Sequence, residues 1–339
     1  MDTQFFVSAP PPTDYIQSSH HMFFSYLPEN VSFQSGYLGI TRTTVSGTLH
    51  VRFPKSIEAK SISLKFVGRE VVEMSDMKKA RGEKIILDKS TYLWRSDSGV
   101  GHQLITDLDL PFEFAVPNDA VESFNGRFGS VTYTLQATVN TKPKKHNTYC
   151  EVIVPLWRWT RPTEDDLRPL VIKSSPKKAR KVPLSWQAIL PQTFFDINSE
   201  ILARLRFVAH IPSLRIRKIT AALKTVTSYA LEDRSVMPVQ KSKQQAKHII
   251  YGDEILTTSM GQETVFEASV GVKIPASVLP TIKTKFITVT NQLQIKVMFE
   301  RSKHHVLIVK DIFIGRRWMG DSELERLDND FKEGEEDES

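Results

Sequence analysis

Nine histidines and a single cysteine are the side chains best suited to metal or nucleophilic chemistry, and their spacing argues against both. The histidines include the adjacent pairs His20-His21 and His304-His305. Neighbours on a strand point to opposite faces, so neither pair can hold a metal jointly from one strand. HExxH, a Walker loop and GxGxxG in a strand–helix context are missing, as is the GxSxG elbow. Cys150 cannot form an intrachain disulfide or a cysteine-based zinc site, and its isolation suits a reducing compartment. As a nucleophile it would need a base such as His146. Residues i and i+4 of a strand share a face but stand about 13 Å apart. Cys150 is therefore expected at a core or edge position. With no nucleophile–base pair in view, the chain is expected to be no enzyme, with no metal and no cofactor.

Binding chemistry is more evident. Cationic residues gather at Lys142, Lys144, Lys145, Arg158 and Arg161, then at Lys177, Lys178, Arg180 and Lys181. Arg204, Arg206, Arg215, Arg217 and Lys218 follow. Three readings compete. The set is a solvated surface, or it draws the protein to anionic membrane or phosphorylated receptor tails, or it binds nucleic acid. Each Lys or Arg near an anionic surface contributes about 1 kcal/mol, so a handful suffices for reversible binding. Nucleic acid is the weakest reading, since no module signature accompanies the Trp157-Arg158-Trp159 interleaving. Trp157 and Trp159 share a face and are expected to pack where the two halves of the chain join.

The net charge of +6 conceals an asymmetry. Residues 321–339 hold ten acidic and two basic residues, leaving a strongly basic remainder. The acidic tail has capping-box spacing at Ser322-Glu323-Leu324-Glu325. Leu324, Leu327 and Phe331 would share one helical face. Such a face is expected to dock on the body and restrain partner binding.

The elements that must position these groups are strands. TVSGTLHVRF puts Val45, Gly47, Leu49, Val51 and Phe53 on one face, and Ser46, Thr48, His50 and Arg52 on the other. SISLKF, PFEFAV and SVTYTLQATV alternate in the same way. So do EILARLRFVAHI, the runs at 270–274 and 293–299, and VLIVKDIFI at 306–314. Period-two alternation is what a strand shows when one face is buried and the other wet. Many short strands without helical crossovers predict an all-β chain of antiparallel sandwiches, each of about seven strands.

A length of 339 residues suits two domains of about 150 each. Residues 74–103 are polar and glycine-bearing and predict a long loop, with room for a strand at IILD; residues 232–262 look similar. Residues 161–183 hold four prolines and clustered charge, as a connector should. The expected organisation is an arm over 1–24, a domain over 25–160, a linker over 161–184, a domain over 185–316 and the acidic tail over 317–339. No run of about 18 apolar residues offers a membrane span. The acidic, proline-broken start, MDTQFFVSAPPP, predicts no signal peptide.

Two blocks resemble the arrestin-like family. GYLGITRTTVSGTLHVRFPKSIEAKSISLKFVGREVV is similar to the start of its N-terminal domain: a strand, a short turn and a second strand ending in a Phe-x-Gly step, here Phe66, Val67 and Gly68. LPFEFAVPNDAVESFNGRFGSVTYTLQATV is similar to a later block. It supplies Phe112 and Phe114, Pro117, the turn Ser123-Phe124-Asn125-Gly126 and the strand start Gly129-Ser130-Val131-Thr132-Tyr133. The closing strands, FITVTNQLQIKVMF and VLIVKDIFIG, resemble the family's C-terminal domain. The style is nearest to the fungal and other α-arrestins. Locally, Gly126 and Gly129 flank a tight hairpin, where positive φ would suit glycine.

The resemblance implies two consecutive arrestin-type, immunoglobulin-like β-sandwich domains and a non-catalytic cytoplasmic adaptor, recruited peripherally to plasma membrane or endosomes. Its cargo would be the cytoplasmic tails of membrane receptors or transporters, linked to endocytosis and ubiquitin-dependent sorting. Ubiquitin-linked members of the family engage HECT-type ligases through Pro-Pro-x-Tyr motifs, which dock on WW domains. Here Pro11, Pro12 and Tyr15 are separated by Thr13-Asp14, one residue too many for the three-residue turn of polyproline II. A sorting scaffold of the same fold without ligase coupling is the alternative.

Overall fold

A computed structural model describes residues 16–17, 21–27, 30–74, 80–96, 101–141, 148–174, 184–210, 214–230, 244–245, 256–260, 263–300 and 305–320. The chain divides into two units. The first comprises Met1–Trp159, Tyr229–Met237 and Thr284–Phe286; the second comprises Thr160–Ser228, Pro238–Lys283 and Ile287–Ser339.

The first unit begins with β1 (Ile16–Gln17), β2 (Met22–Ser25), β3 (Gln34–Ser35) and β4 (Thr43–Met74). It continues with β5 (Ala80–Arg95), β6 (Gln103–Val116), β7 (Phe124–Asn125), β8 (Gly129–Thr141) and β9 (Thr148–Ile153). All pairings among them are antiparallel. The 32-residue β4 organises the unit. Its first third pairs with β6 along one edge and with β2 and β3 along the other. Pairing with β6 continues to Ala59, where β8 takes over, joined by β5 from Ser61 onward. Ile62, Leu64 and Phe66 of β4 and Val131, Tyr133, Leu135, Ala137 and Val139 of β8 are buried, as their alternation predicts. Each such Val, Leu, Ile or Phe contributes about 1.5–3 kcal/mol by leaving water. Glu70 is buried as well, and its carboxylate accepts from the Thr284 hydroxyl and from the Phe286 N–H at 2.8 Å.

The structure corrects two expectations here. The strand–turn–strand expected over residues 43–74 is one strand. Pro54 falls at a register shift against β6 between Arg52 and Ile57, a place where a missing N–H costs no ladder bond. The long loop expected over 74–103 holds β5, paired with β4 from Ser61↔Arg95 to Met74↔Ala80. Leu87 is its one buried side chain among the described residues. Charged cross-strand partners, Lys65–Asp88 at 3.6 Å and Arg69–Glu83 at 3.5 Å, replace an apolar face and hide its period.

The second unit contains β10 (Trp159–Thr160), shared at its boundary, then α1 (Glu164–Leu167), β11 (Leu170–Lys173), β12 (Leu184–Leu190), β13 (Phe194–Asp196) and β14 (Glu200–Ala209). It continues with β15 (Ile216–Tyr229), β16 (Gln244–Gln245), β17 (Leu256–Met260), β18 (Glu263–Lys273), β19 (Ile282–Lys283), β20 (Ile287–Phe299) and β21 (His305–Arg317). One sheet runs β11-β12-β14-β18-β17, the other β10-β21-β20-β15-β16 with β13 and β19 alongside. Phe207, Leu205 and Val270 from the first meet Leu293, Ile295, Val297 and Phe299 from the second in one core cluster. Within it, Asn291 accepts from the Thr225 hydroxyl at 2.7 Å and donates to the Leu279 carbonyl at 3.1 Å and Thr281 Oγ1 at 3.2 Å. Buried polar atoms are thereby matched rather than stranded.

The linker expected over 161–184 is partly structured. Thr163 caps α1 in a capping box with Asp166, and β11 pairs with β12. The proline and charge density there marks a helix start and an edge strand. Within 232–262, β16 and β17 are the described elements.

Candidate functional site

Of the basic residues predicted to bind anions, Arg158 and Arg161 fall among the described residues. Lys142, Lys144, Lys145, Lys177, Lys178, Arg180 and Lys181 lie outside them, as do Pro11, Pro12, Tyr15, Leu324, Leu327 and Phe331. Arg158 donates to the Asn118 carbonyl at 2.7 Å and the Ala120 carbonyl at 3.0 Å, which fixes the turn after β6. Gly39 makes room for it. At φ 95° a side chain there would be strained, and a Cβ would stand 3.1 Å from the Arg158 guanidinium carbon. Carbonyl partners leave the guanidinium charge unneutralised, so Arg158 still contributes positive potential. In the second unit, Arg161 lies over the Trp318 ring at 4.4 Å, a cation–π contact. Trp159, expected at a junction between halves, meets Tyr37 edge-on at 5.2 Å within the first unit.

Arg204 and Arg206 occupy the outer face of β14. The register places Lys173, Gln187, Arg206 and Glu267 in one row across four strands, with Arg206–Glu267 at 3.4 Å. Val171 and Leu202 are exposed on the same sheet, and Lys273 lies opposite Glu200. This face mixes cations with apolar side chains. Arg215, Arg217 and Lys218 are exposed at the start of β15.

A different cluster on the first unit went unseen in the sequence. Phe23, His50 and Asp109 form one row across β2, β4 and β6. Ser25, two residues along β2, shares their face. Ser25 Oγ is 2.8 Å from His50 Nε2, and His50 Nδ1 is 2.7 Å from Asp109 Oδ1. Arg52 also donates to Asp109 Oδ1 and anchors itself on the Val51 carbonyl at 2.8 Å and the Leu108 carbonyl at 2.9 Å. The Asp109 carboxyl is held below its usual range, first by the Arg52 hydrogen bond and then by His50. An ionised carboxylate only accepts, so His50 Nδ1 carries a proton; when Nε2 carries none, it is the acceptor for the Ser25 hydroxyl. Phe23 stacks on the imidazole at 4.6 Å. The reading that no nucleophile–base pair exists is therefore corrected. Outward alternation had marked His50, but its partners come from strands 25 and 59 residues away in sequence. Cys150, by contrast, is a core residue with Sγ 3.5 Å from the Met22 carbonyl.

Compared with known families, residues 33–156 match the arrestin (or S-antigen) N-terminal domain and residues 180–316 match its C-terminal domain. The chain belongs to the arrestin family. No curated protein matches it in a whole-sequence search. Arrestin-family membership makes the chain an arrestin-like trafficking or signalling adaptor in general terms, of a kind generally non-catalytic. The arrestin-type block at 112–133 is turn and core geometry. Phe112 and Phe114 are buried, and Ser123 Oγ accepts from the Leu156 N–H at 2.9 Å. Tyr133 donates to the Val121 carbonyl at 2.7 Å, and burial pushes its phenol well above the usual tyrosine range. Positive φ is not what Gly126 and Gly129 supply; among the described residues only Gly36, Gly39 and Asn198 have it. The reason is space: a Cβ on Gly126 would collide with the Tyr229 hydroxyl, and one on Gly129 would stand 2.7 Å from the Val71 carbonyl.

Proposed function

We propose that this arrestin-family chain is an adaptor that grips anionic, phosphorylated cytoplasmic tails of membrane receptors or transporters and hands them to sorting machinery. The presence of both family domains in one chain carries the reading. The outer face of β14 supports it: Arg204 and Arg206 supply charge, and exposed Val171 and Leu202 supply apolar contact. Linked weak sites on two domains give avidity without a tight individual contact. Anionic membrane would add to the attraction by about 1 kcal/mol per nearby cation.

Salt-dependent capture on phosphorylated and unphosphorylated tail peptides tests this. Capture of the phosphorylated form is expected, weakened about 10-fold or more in the R204E/R206E variant. Equal capture of both peptides would overturn the reading. Deleting 321–339 is expected to strengthen capture if the acidic tail shields the cationic surface. Coupling to a HECT-type ligase and sorting without one are separated by binding to isolated WW domains. The extra residue between Pro12 and Tyr15 favours the scaffold without a ligase.

A further inference from the structure

The first unit carries a hydrogen-bonded chain of nucleophile, base and orienting carboxylate that adaptor function does not use. We propose that Ser25 is a reactive nucleophile, activated by His50 and Asp109, that takes the acyl group of small esters with apolar acyl chains. The geometry meets the requirements of an activated nucleophile in order. The hydroxyl is in hydrogen-bond reach of the imidazole, at 2.8 Å. The imidazole is oriented by a carboxylate at 2.7 Å on its other nitrogen. That carboxylate is itself pinned by Arg52, whose other contacts are backbone carbonyls. All four side chains stand on paired strands rather than loops, so the register holds them. Exposed Phe23, stacked on His50, offers an apolar surface beside the hydroxyl for the acyl chain.

The reaction is acyl transfer to Ser25 followed by hydrolysis. Ser25 Oγ bonds to the ester carbonyl carbon while its proton passes to His50 Nε2. The carbon–oxygen bond to the alcohol breaks, and the leaving oxygen takes that proton. Water then attacks the acyl-serine, giving one proton to His50 and releasing the carboxylic acid as Ser25 recovers its hydrogen. Asp109 is largely solvent-exposed, so charge in the transition state is screened by water. Both steps are slowed by that screening, and deacylation, which must activate water, is expected to be slower than acylation by an ester with a good leaving group.

The test treats the full chain with a fluorophosphonate and maps adducts by peptide mass spectrometry. Ser56 is the internal control, because its hydroxyl is exposed and bonded to Thr106 Oγ1 at 2.8 Å rather than to a base. Ser25 is expected to label about 100-fold faster than Ser56, and H50Q to remove most of that advantage. D109N is expected to lower labelling by about 10-fold, since an amide can offer N–H to Nδ1 and reverse the tautomer. With 4-nitrophenyl butyrate, the wild type is expected to release a burst near one equivalent and S25A none. Labelling of Ser25 at the rate of Ser56, a comparison that needs no variant, would overturn the proposal. So would unchanged labelling in H50Q whose unfolding midpoint matches the wild type.

Discussion

In the first unit a single strand, β4, is the partner of β2, β3, β5, β6 and β8. In the second, the work is split between two sheets whose inner strands, β14 and β20, never pair with each other. Both routes give alternating burial, yet they concentrate risk differently. A lesson follows about where a mutation is felt. Damage to β4 reaches five strands directly, leaving the β7–β8, β8–β9 and β1–β9 pairings to feel it second-hand, whereas damage to β14 reaches one sheet first and the facing sheet only through side-chain packing.

The comparison breaks most readily at the large buried rings. Phe66→Ala on β4 and Phe207→Ala on β14 are each expected to cost about 3–5 kcal/mol, read by denaturant unfolding. Hydrogen exchange should distinguish them, with Phe66→Ala loosening β5, β6 and β8 together and Phe207→Ala loosening β12 and β18 before β20. Next in size, Asn291→Leu strands the Thr225 hydroxyl and the Leu279 carbonyl, at about 1–3 kcal/mol for each orphaned group. Gly68→Ala on β4 would press a Cβ to 2.6 Å from the Tyr133 ring, an overpacking cost of about 1–3 kcal/mol in the unfolding midpoint. Tyr133→Phe removes one hydrogen bond to the Val121 carbonyl and should cost about 0.5–1.5 kcal/mol.

The smallest expected effect concerns pH. Burial raises the Asp196 carboxyl above its usual range, although the Arg317 N–H donates to it at 2.7 Å. A raised acid binds its proton more tightly folded than unfolded. Its charged form therefore costs stability as pH rises from the unfolded value through the folded one. Asp196→Asn keeps the acceptor and removes that charge. Its melting temperature should equal the wild type below pH 3.8, the ordinary value, and exceed it slightly at neutral pH. A variant less stable than wild type at neutral pH would show that the Arg317 contact needs the charge.

Strand existence was legible in the long runs with one buried face, but not in the short β2 or in β12. TVSGTLHVRF, SVTYTLQATV and EILARLRFVA declare themselves because their apolar side chains recur every second residue. Of β5 only the IILD stretch reads as a strand, because an edge strand held by cross-strand ion pairs has no apolar face to repeat. Its ion pairs with β4 depend on register, which sequence alone does not state. The short turn implied by the family resemblance is absent as a turn; Pro54 occupies a break in pairing within one strand. The Ser25–His50–Asp109 array is invisible for the same reason as β5: each residue is ordinary, and only the three-strand register makes them neighbours. Ser185 and His210 make a second pair, 2.9 Å apart and also 25 residues apart in sequence. There His210 lies just past the end of β14 in an exposed setting, so Ser185 is expected to label more slowly than Ser25.

The 32-residue strand also sets a timetable for synthesis. Its N-terminal part can pair at once with β2 and β3, but its other edge waits for residues near Phe112 and Phe114; its C-terminal part meets β5 next and β8 only when residues 129–141 arrive. No early hairpin can complete the first unit alone, so its folding is dominated by distant pairings, the slow class of topology, in milliseconds to seconds. On a ribosome, β4 would keep one edge open until β6 and then β8 have left the exit tunnel, making that edge the natural place for a chaperone to hold during translation.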